Sequence, residues 1–288
     1  MEEIISVLPK RLAQILIQTV DDWKELQEIR IRQGKHMVIR YHGNLLSLTK
    51  NDVVVTATEC KEILSQISQY SFYAFEEEIC QGYLTIPGGH RIGVTGRTVM
   101  VEGKVKTIRH ITCFNIRISH EIKGCAKEIY PFICQEGNLH STLILSPPGG
   151  GKTTMLRDVI RQLSQHNNVS IVDERSEIAC CYQGIPQRDV GPCCDVLDGC
   201  PKAIGMEMVL RSMGPDVIAV DEIGTERDYQ AMKKALVSGC TILATMHGEE
   251  MEGVKHYGLF QRYILLQGNR EPGKIRGIYD QRGRKLWG

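Results

Sequence analysis

The stretch Ser146-Pro147-Pro148-Gly149-Gly150-Gly151-Lys152-Thr153-Thr154 carries the side chains and spacing most suited to chemistry in this sequence. Its glycines let backbone N–H groups turn inward around an anion, and a helix starting at the lysine adds the partial positive charge of its N-terminus. In that setting Lys152 reaches the β- and γ-phosphates of a nucleotide, and the Thr153 hydroxyl is placed to hold Mg²⁺. Pro148, Gly149, Gly150, Gly151, Lys152, Thr153 and Thr154 are therefore the candidate ATP-binding residues, with Thr153 also on the metal. The stretch departs from the standard Walker A pattern at its first position, where Ser146 stands in place of glycine. The two prolines behind it stiffen the turn, so the loop is expected to keep its shape.

A second segment, Asp216-Val217-Ile218-Ala219-Val220-Asp221-Glu222, is an apolar run ending in two acids, the Walker B form. Asp221 suits the water shell of Mg²⁺, and Glu222 suits a general base that polarises an attacking water. An acid beside the metal-holding one points to hydrolysis rather than to nucleotide binding alone. Two more apolar runs end in polar groups. Residues 169–172 lead into Asp173-Glu174-Arg175-Ser176-Glu177, where Glu174 is a candidate for ordering the water or the metal shell. Residues 241–245 lead into Met246-His247-Gly248, where Thr245 or His247 can sense a γ-phosphate. Open α/β sheets collect their ligands at such strand ends.

The elements that must position these groups are short apolar runs alternating with helical stripes. Residues 142–145, 169–172, 217–220 and 241–245 read as strands, and Met155, Leu156, Val159, Ile160 and Leu163 share one helical face. Further helices are expected over 203–213 and 229–237. That is the α/β rhythm of a mostly parallel sheet with helices on its faces, assigned to a domain over 138–288. Residues 1–137 read instead as a smaller α+β domain. It opens with a helical stripe (Ile4, Ile5, Leu8, Leu12, Ile15, Leu16), and paired strands follow at 28–32 and 37–41. Thr56-Ala57-Thr58-Glu59 has capping-box spacing ahead of another helix. Hairpins are expected for 83–86 with 90–94, and for 97–101 with 104–108. The polar stretch Gln135-Glu136-Gly137-Asn138 reads as the linker.

Composition narrows the class. The 288 residues suffice for two domains with full cores. A hydrophobic share of 42% with 24% charged residues is that of a globular chain, not of a disordered or fibrous one. A net charge of +1 exerts no overall pull toward nucleic acid or an anionic membrane. The cationic cluster Arg270, Lys274, Arg276, Arg282, Arg284 and Lys285 reads as a solvated tail. No apolar run reaches the ~18 residues of a membrane span, and the first residues lack a secretory signal's pattern. A cytoplasmic protein without direct membrane insertion is expected. Eleven cysteines, densest at Cys180, Cys181, Cys193, Cys194 and Cys200, lack a paired ligand framework and read as reduced thiols rather than a metal site.

The order of these motifs resembles the superfamily of type II and type IV secretion ATPases. The resemblance implies a RecA-like P-loop NTPase domain in the second half, stacked with the smaller α+β domain, in a homo-oligomeric hexameric ring. It carries that family's Asp box onto Asp173, Glu174 and Glu177, its His box onto His247, and its Walker B glutamate onto Glu222. Asp221 stands where the family usually has glycine, and Gly224-Thr225 follows Ile223 where it has an arginine. With residues 172–179, 195–202 and 87–91, these departures are similar to the sporulation branch of the superfamily, over nearly the whole chain. The implied role is a motor on the mother-cell side of the forespore membrane in endospore-forming bacteria. There it would energise a channel whose membrane proteins are its partners. In such rings a neighbour's arginine touches the γ-phosphate. Arg91, Arg117, Arg175, Arg211 and Arg227 are the candidates, with Arg211 near where the family keeps one.

Two other classes share the ATPase core. A RecA-like DNA motor needs basic loops interleaved with aromatics. Only 6% of residues are aromatic, and residues 184–195, a possible mobile loop, carry only Arg188 as a strong base, so no nucleic-acid partner is expected. An ATP-gated assembly scaffold with little hydrolysis is opposed by the intact set Lys152, Asp221 and Glu222.

Overall fold

Pro9 cuts the opening apolar stripe into two helices, Glu2–Ser6 and Lys10–Thr19, because proline has no N–H and disfavours helix in the residue before it. A computed structural model of the chain describes residues 1–49, 54–68, 82–249 and 258–288. They form two compact units, Met1–His120 and Glu121–Gly288.

In the first unit, strands β1 (Leu26–Arg32), β2 (Val38–Tyr41), β3 (Asn44–Ser47), β4 (Tyr83–Ile86), β5 (His90–Val101) and β6 (Lys104–Arg117) make one sheet of order β3-β2-β1-β6-β5-β4. Every pairing is antiparallel. The separate strands expected at 90–94 and 97–101 are one strand, turning into β6 through Glu102 and Gly103, both at positive φ as a two-residue hairpin turn requires. The capping box ahead of helix Ala57–Ser68 is present. Glu59 accepts from the Thr56 amide at 2.8 Å, and Thr56 Oγ1 accepts from the Glu59 amide at 3.2 Å. Leu12, Leu16 and Ile63 of the helices join Ile29, Ile31, Ile39, Ile92 and Phe114 of the sheet in one core.

The second unit begins earlier than the polar stretch at 135–138 suggests. Ala126, Ile129 and Ile133 are fully buried in its core, Asp158 accepts from the Ala126 amide at 2.8 Å, and Arg262 Nε donates to the Phe132 carbonyl at 3.0 Å. Residues 135–138 are the tight turn of a small ladder, β7 (Cys134–Gln135) with β8 (Asn138–Leu139). The main sheet contains β9 (Thr142–Ser146), β10 (Val169–Asp173), β11 (Cys194–Asp198), β12 (Val217–Val220), β13 (Thr241–His247), β14 (Arg262–Leu266), β15 (Ile275–Asp280) and β16 (Lys285–Trp287). Its order is β11-β10-β12-β13-β9-β14-β15-β16, parallel from β11 to β14 and antiparallel beyond.

Alternation along each strand divides the interior in two. Ile144, Ile171, Ala219 and Leu243 face the helix Lys152–Leu163, whereas Leu143, Leu145, Val220 and Ala244 face the helices Lys202–Ser212 and Glu226–Val237. Burial on both faces explains why these strands are continuous apolar runs in the sequence. The cationic cluster near the end is not a tail. Residues 275–280 and 285–287 are strands, because Ile275 and Ile278 pack in the core while Arg276 between them is exposed. Among the described residues no helix is long and apolar enough to cross a membrane.

Candidate functional site

Parallel register brings the polar strand ends to one edge of the sheet. Ser146 lies opposite His247, and Val172, Val220 and Ala244 stand side by side, so the segments following β9, β10, β12 and β13 emerge together. At β9 the loop Ser146–Gly151 tightens through a hydrogen bond from the Gly150 amide to the Pro147 carbonyl at 3.2 Å. Ser146, fully buried, donates its hydroxyl to the same carbonyl at 2.8 Å. A Cβ at Gly150 would lie 2.3 Å from that hydroxyl, so the serine in the first position occupies space that only a glycine partner leaves. Gly151 (φ 88°) precedes the helix without any side-chain cap, which leaves the first-turn amides available to an anion. The helix is held by Met155, Leu156, Val159, Ile160 and Leu163, all buried. Pro148 and Gly149 form the crest of the loop.

Lys152 is 5% exposed and points back under the loop, donating to the Ser146 carbonyl at 3.2 Å and the Pro147 carbonyl at 3.3 Å. Burial holds it below the usual lysine value, with Asp221, Glu222 and Glu177 opposing. Its Nζ also meets His247 Nδ1 at 3.1 Å. A charged ammonium can only donate, so Nδ1 accepts and the ring proton sits on Nε2. That nitrogen is 2.9 Å from Glu222 Oε1. The other Glu222 oxygen pairs with Arg175 Nη1 at 2.6 Å. Thr153 Oγ1 donates to Asp221 Oδ2 at 2.6 Å, and the buried Thr245 hydroxyl donates to Asp221 Oδ1. Thr245 Oγ1 in turn accepts from the Glu222 amide at 2.9 Å and so fixes that residue in a left-handed conformation, φ 51°. The structure thus brings Lys152, Thr153, Asp221, Glu222 and His247 together. Thr154 follows in the first helical turn.

Glu174 stands on a separate support. Its carboxylate pairs with Lys202, and it lines a small cleft with Asp173, Arg175, Asp221 and Glu222. The loop carrying Glu174 and Arg175 is wound around Asp173, which is 1% exposed and accepts from the amides of Glu177 at 2.8 Å and of Ile178 and Ala179 at 2.9 Å. Burial raises the Asp173 carboxyl to about 6 despite those three donors. Arg157, on the buried side of the phosphate-loop helix, donates to the Ile178 and Glu177 carbonyls and ties the loop to that helix. Sequence reasoning missed Arg157; its signal is an arginine beside Leu156 in an apolar stripe.

It also missed the turn between β14 and β15. Gly273 donates its amide to the Gly150 carbonyl at 2.9 Å, and the Gln267 carbonyl and Gly273 amide stand where Cβ atoms at Gly150 and Gly151 would be. Of the arginines considered for a neighbour's site, Arg175 is the one bound to Glu222 of its own chain. Arg211 pairs with Glu207 at 3.2 Å along its helix, Arg91 lies over the Tyr83 ring, and Arg117 and Arg227 are exposed. The ten described cysteines are free thiols, and burial pushes Cys181 and Cys194 up to about 12.

The sequence matches the family described as Sporulation stage III, protein AA, over residues 1–286. It is 40% identical to Stage III sporulation protein AA of Bacillus subtilis (strain 168), across 99% of this chain and 97% of that protein. An uncharacterized protein, ycf45 of Porphyra purpurea, is 25% identical across 88% of this chain and 42% of its own length. Among solved structures, the fold is similar to that of the Legionella pneumophila ATPase DotB, with a TM-score of 0.60 at 16% identity over 90% of this chain and 76% of that one. It is similar also to the pilus retraction motor PilT with bound ADP, with a TM-score of 0.58 at 14% identity over 87% and 77% of the two chains. At such identities the likeness is one of fold, the α/β fold of the P-loop secretion ATPases.

Proposed function

The chain belongs to the family of Sporulation stage III, protein AA, and from that membership we propose that it is a Mg²⁺-dependent ATPase of the secretion type whose hydrolysis energises a channel between mother cell and forespore. The observation that carries this reading is the convergence of Lys152, His247 and Glu222, with His247 3.1 Å from the lysine and 2.9 Å from the glutamate, beside the pair Thr153 and Asp221. Gly149, Gly150, Gly151 and the first amides of the helix receive the phosphates, and Lys152 leaves its carbonyl partners to meet them. Thr153 and Asp221 offer hard oxygens that fit Mg²⁺, which when bound neutralises phosphate charge.

Glu222 takes a proton from the attacking water, and His247, 2.9 Å from Oε1, orients the carboxylate. Glu174, lining the same cleft, orders that water. The Arg175 pair with Glu222 must open for the carboxylate to reach water, so hydrolysis by the isolated chain is slow until a partner or a neighbouring subunit draws Arg175 away. The resemblance to the secretion ATPases supports a hexameric ring, with membrane proteins of the channel complex as partners at the mother-cell side of the forespore membrane.

Steady-state ATP hydrolysis with Mg²⁺, measured for the protein and for Glu222→Gln while assembly is followed in the same samples, tests the reading. The expected result is a loss of about 10²- to 10⁴-fold in turnover with ATP binding retained. Turnover by Glu222→Gln at the parent rate would refute the assignment of the base.

A further inference from the structure

The turn Gln267–Lys274 is braced against the phosphate loop along its length. Besides the Gly273 amide on the Gly150 carbonyl at 2.9 Å, a Cβ at Gly150 would meet the Gln267 carbonyl at 2.7 Å, and one at Gly151 would meet the Gly273 amide at 2.8 Å. At the crest, the Asn269 Cβ is 3.3 Å from where a Gly149 Cβ would be. The turn holds its own shape through Gln267 N–H to the Lys274 carbonyl at 2.8 Å and Glu271 N–H to the Gly268 carbonyl at 3.1 Å. Two of its three charges cancel, since Lys274 and Glu271 pair at 2.6 Å. Arg270 remains, exposed and without a partner among the described residues, next to the residue that abuts Gly149.

We propose that this turn is the second wall of the nucleotide site and that Arg270 is a phosphate-binding residue, bringing to the outer side of the phosphate loop the cation that Lys152 provides beneath it. The inference rests on the nucleotide reading of the loop and adds to it a residue from a distant part of the chain. A polyphosphate carries more negative charge than one lysine neutralises, and a guanidinium fork matches phosphate oxygens in two directions at once. The Gly273 to Gly150 bond and the approach of Asn269 to Gly149 hold the backbone that carries Arg270 beside the phosphate loop. The ligand is an anionic polyphosphate nucleotide, and the contact is to its phosphates rather than to its base.

Full-length protein, Arg270→Ala, Arg270→Lys and Lys152→Ala are titrated with fluorescent mant-ATP and with mant-AMP. Arg270→Ala is expected to weaken mant-ATP binding about tenfold or more, the value of a charge-assisted contact. Arg270→Lys should recover part of the loss, and mant-AMP binding should change less than mant-ATP binding. Unchanged mant-ATP affinity in Arg270→Ala, with Lys152→Ala still impaired, overturns the role of Arg270 and leaves the phosphate loop standing. Equal losses for both nucleotides overturn the phosphate assignment. Affinity unaffected by Lys152→Ala refutes the nucleotide reading itself, and this proposal with it. Circular dichroism of each variant checks folding, which an exposed arginine should not alter.

Discussion

Replacing Asp173 by Asn should give a stability difference whose size depends on pH. In the folded protein this carboxyl is raised from 3.8 to about 6, chiefly by burial. The folded state therefore binds more protons than the unfolded state between about pH 4 and 6, and stability falls as pH rises through that window. At about 1.4 kcal/mol per tenfold change, the ionised carboxylate costs the fold about 3 kcal/mol at pH 7.5. Asp173→Asn removes that cost. It also replaces one of the two oxygens that accept from Glu177, Ile178 and Ala179 with an NH₂, which leaves a buried amide unpaired at about 1–3 kcal/mol. The two effects nearly offset at pH 7.5.

At pH 5 the parent has shed roughly half of its penalty, about 1.4 kcal/mol, and the variant has gained nothing. The variant should thus fall behind the parent by about 1.4 kcal/mol more at pH 5 than at pH 7.5. Urea unfolding followed by Trp287 fluorescence, with Trp23→Phe in both proteins so that only the second unit reports, measures the gap. A gap that is the same at both pH values, or that widens toward pH 7.5, would refute the argument that burial outweighs the three amide donors.

Gly151→Ala places a side chain at φ 88° with its Cβ 2.8 Å from the Gly273 amide. The left-handed conformation alone costs about 1–2 kcal/mol, so the melting temperature should drop by several degrees and mant-ATP binding should be lost; an unchanged melting curve contradicts the brace. Among the cysteines, exposed Cys193 should react with iodoacetamide at pH 8 well before Cys181 and Cys194, whose burial holds them as thiols. Peptide mass spectrometry after partial labelling reads the order directly, and early labelling of Cys181 would contradict its burial.

What could be read from sequence follows from how strongly local chemistry limits each position. The phosphate loop and the Asp221-Glu222 strand were legible because few residue types satisfy them, and β9, β10, β12 and β13 because burial on two faces makes them mostly apolar runs. Strand β11 was hidden. It lies at the sheet edge, its residues are half-buried or exposed, and its two aspartates carry little strand preference. Strands β15 and β16 were masked by charge, since Arg276 with Arg282, Arg284 and Lys285 behind it look like a solvated tail unless the buried Ile278 is weighed with them. The polar turn at 135–138 resembles a linker locally; only the burial of Ala126, Ile129 and Ile133 reveals that the second unit has already begun. Gly268, Pro272 and Gly273 announce a turn but not where it lands. Arg175 was one arginine among five, and its contact with Glu222 depends on a loop wound around Asp173, with Ser176 at φ 53°, that no pattern of residue types specifies.

On the proposed reading, the resting site has a consequence for how binding and chemistry are linked. Each strong group in it already has an internal partner: Lys152 has two carbonyls and His247, Asp221 has two hydroxyls, and Glu222 has His247 and Arg175. Phosphate binding is then an exchange of bonds, and its net gain is the difference between a charge-assisted contact and the weaker bond to a carbonyl. Lys152 gains most, since burial disfavours its charge and a phosphate restores it. When Lys152 turns to the phosphate, Nδ1 of His247 loses its donor, and the ring that fixes Glu222 Oε1 is released from the other side. One histidine thus touches both the group that holds the nucleotide and the group that activates water. Arrival of the phosphate at Lys152 is thereby felt at Glu222 through the contacts His247 makes on its two sides, without any movement of the strands that carry them.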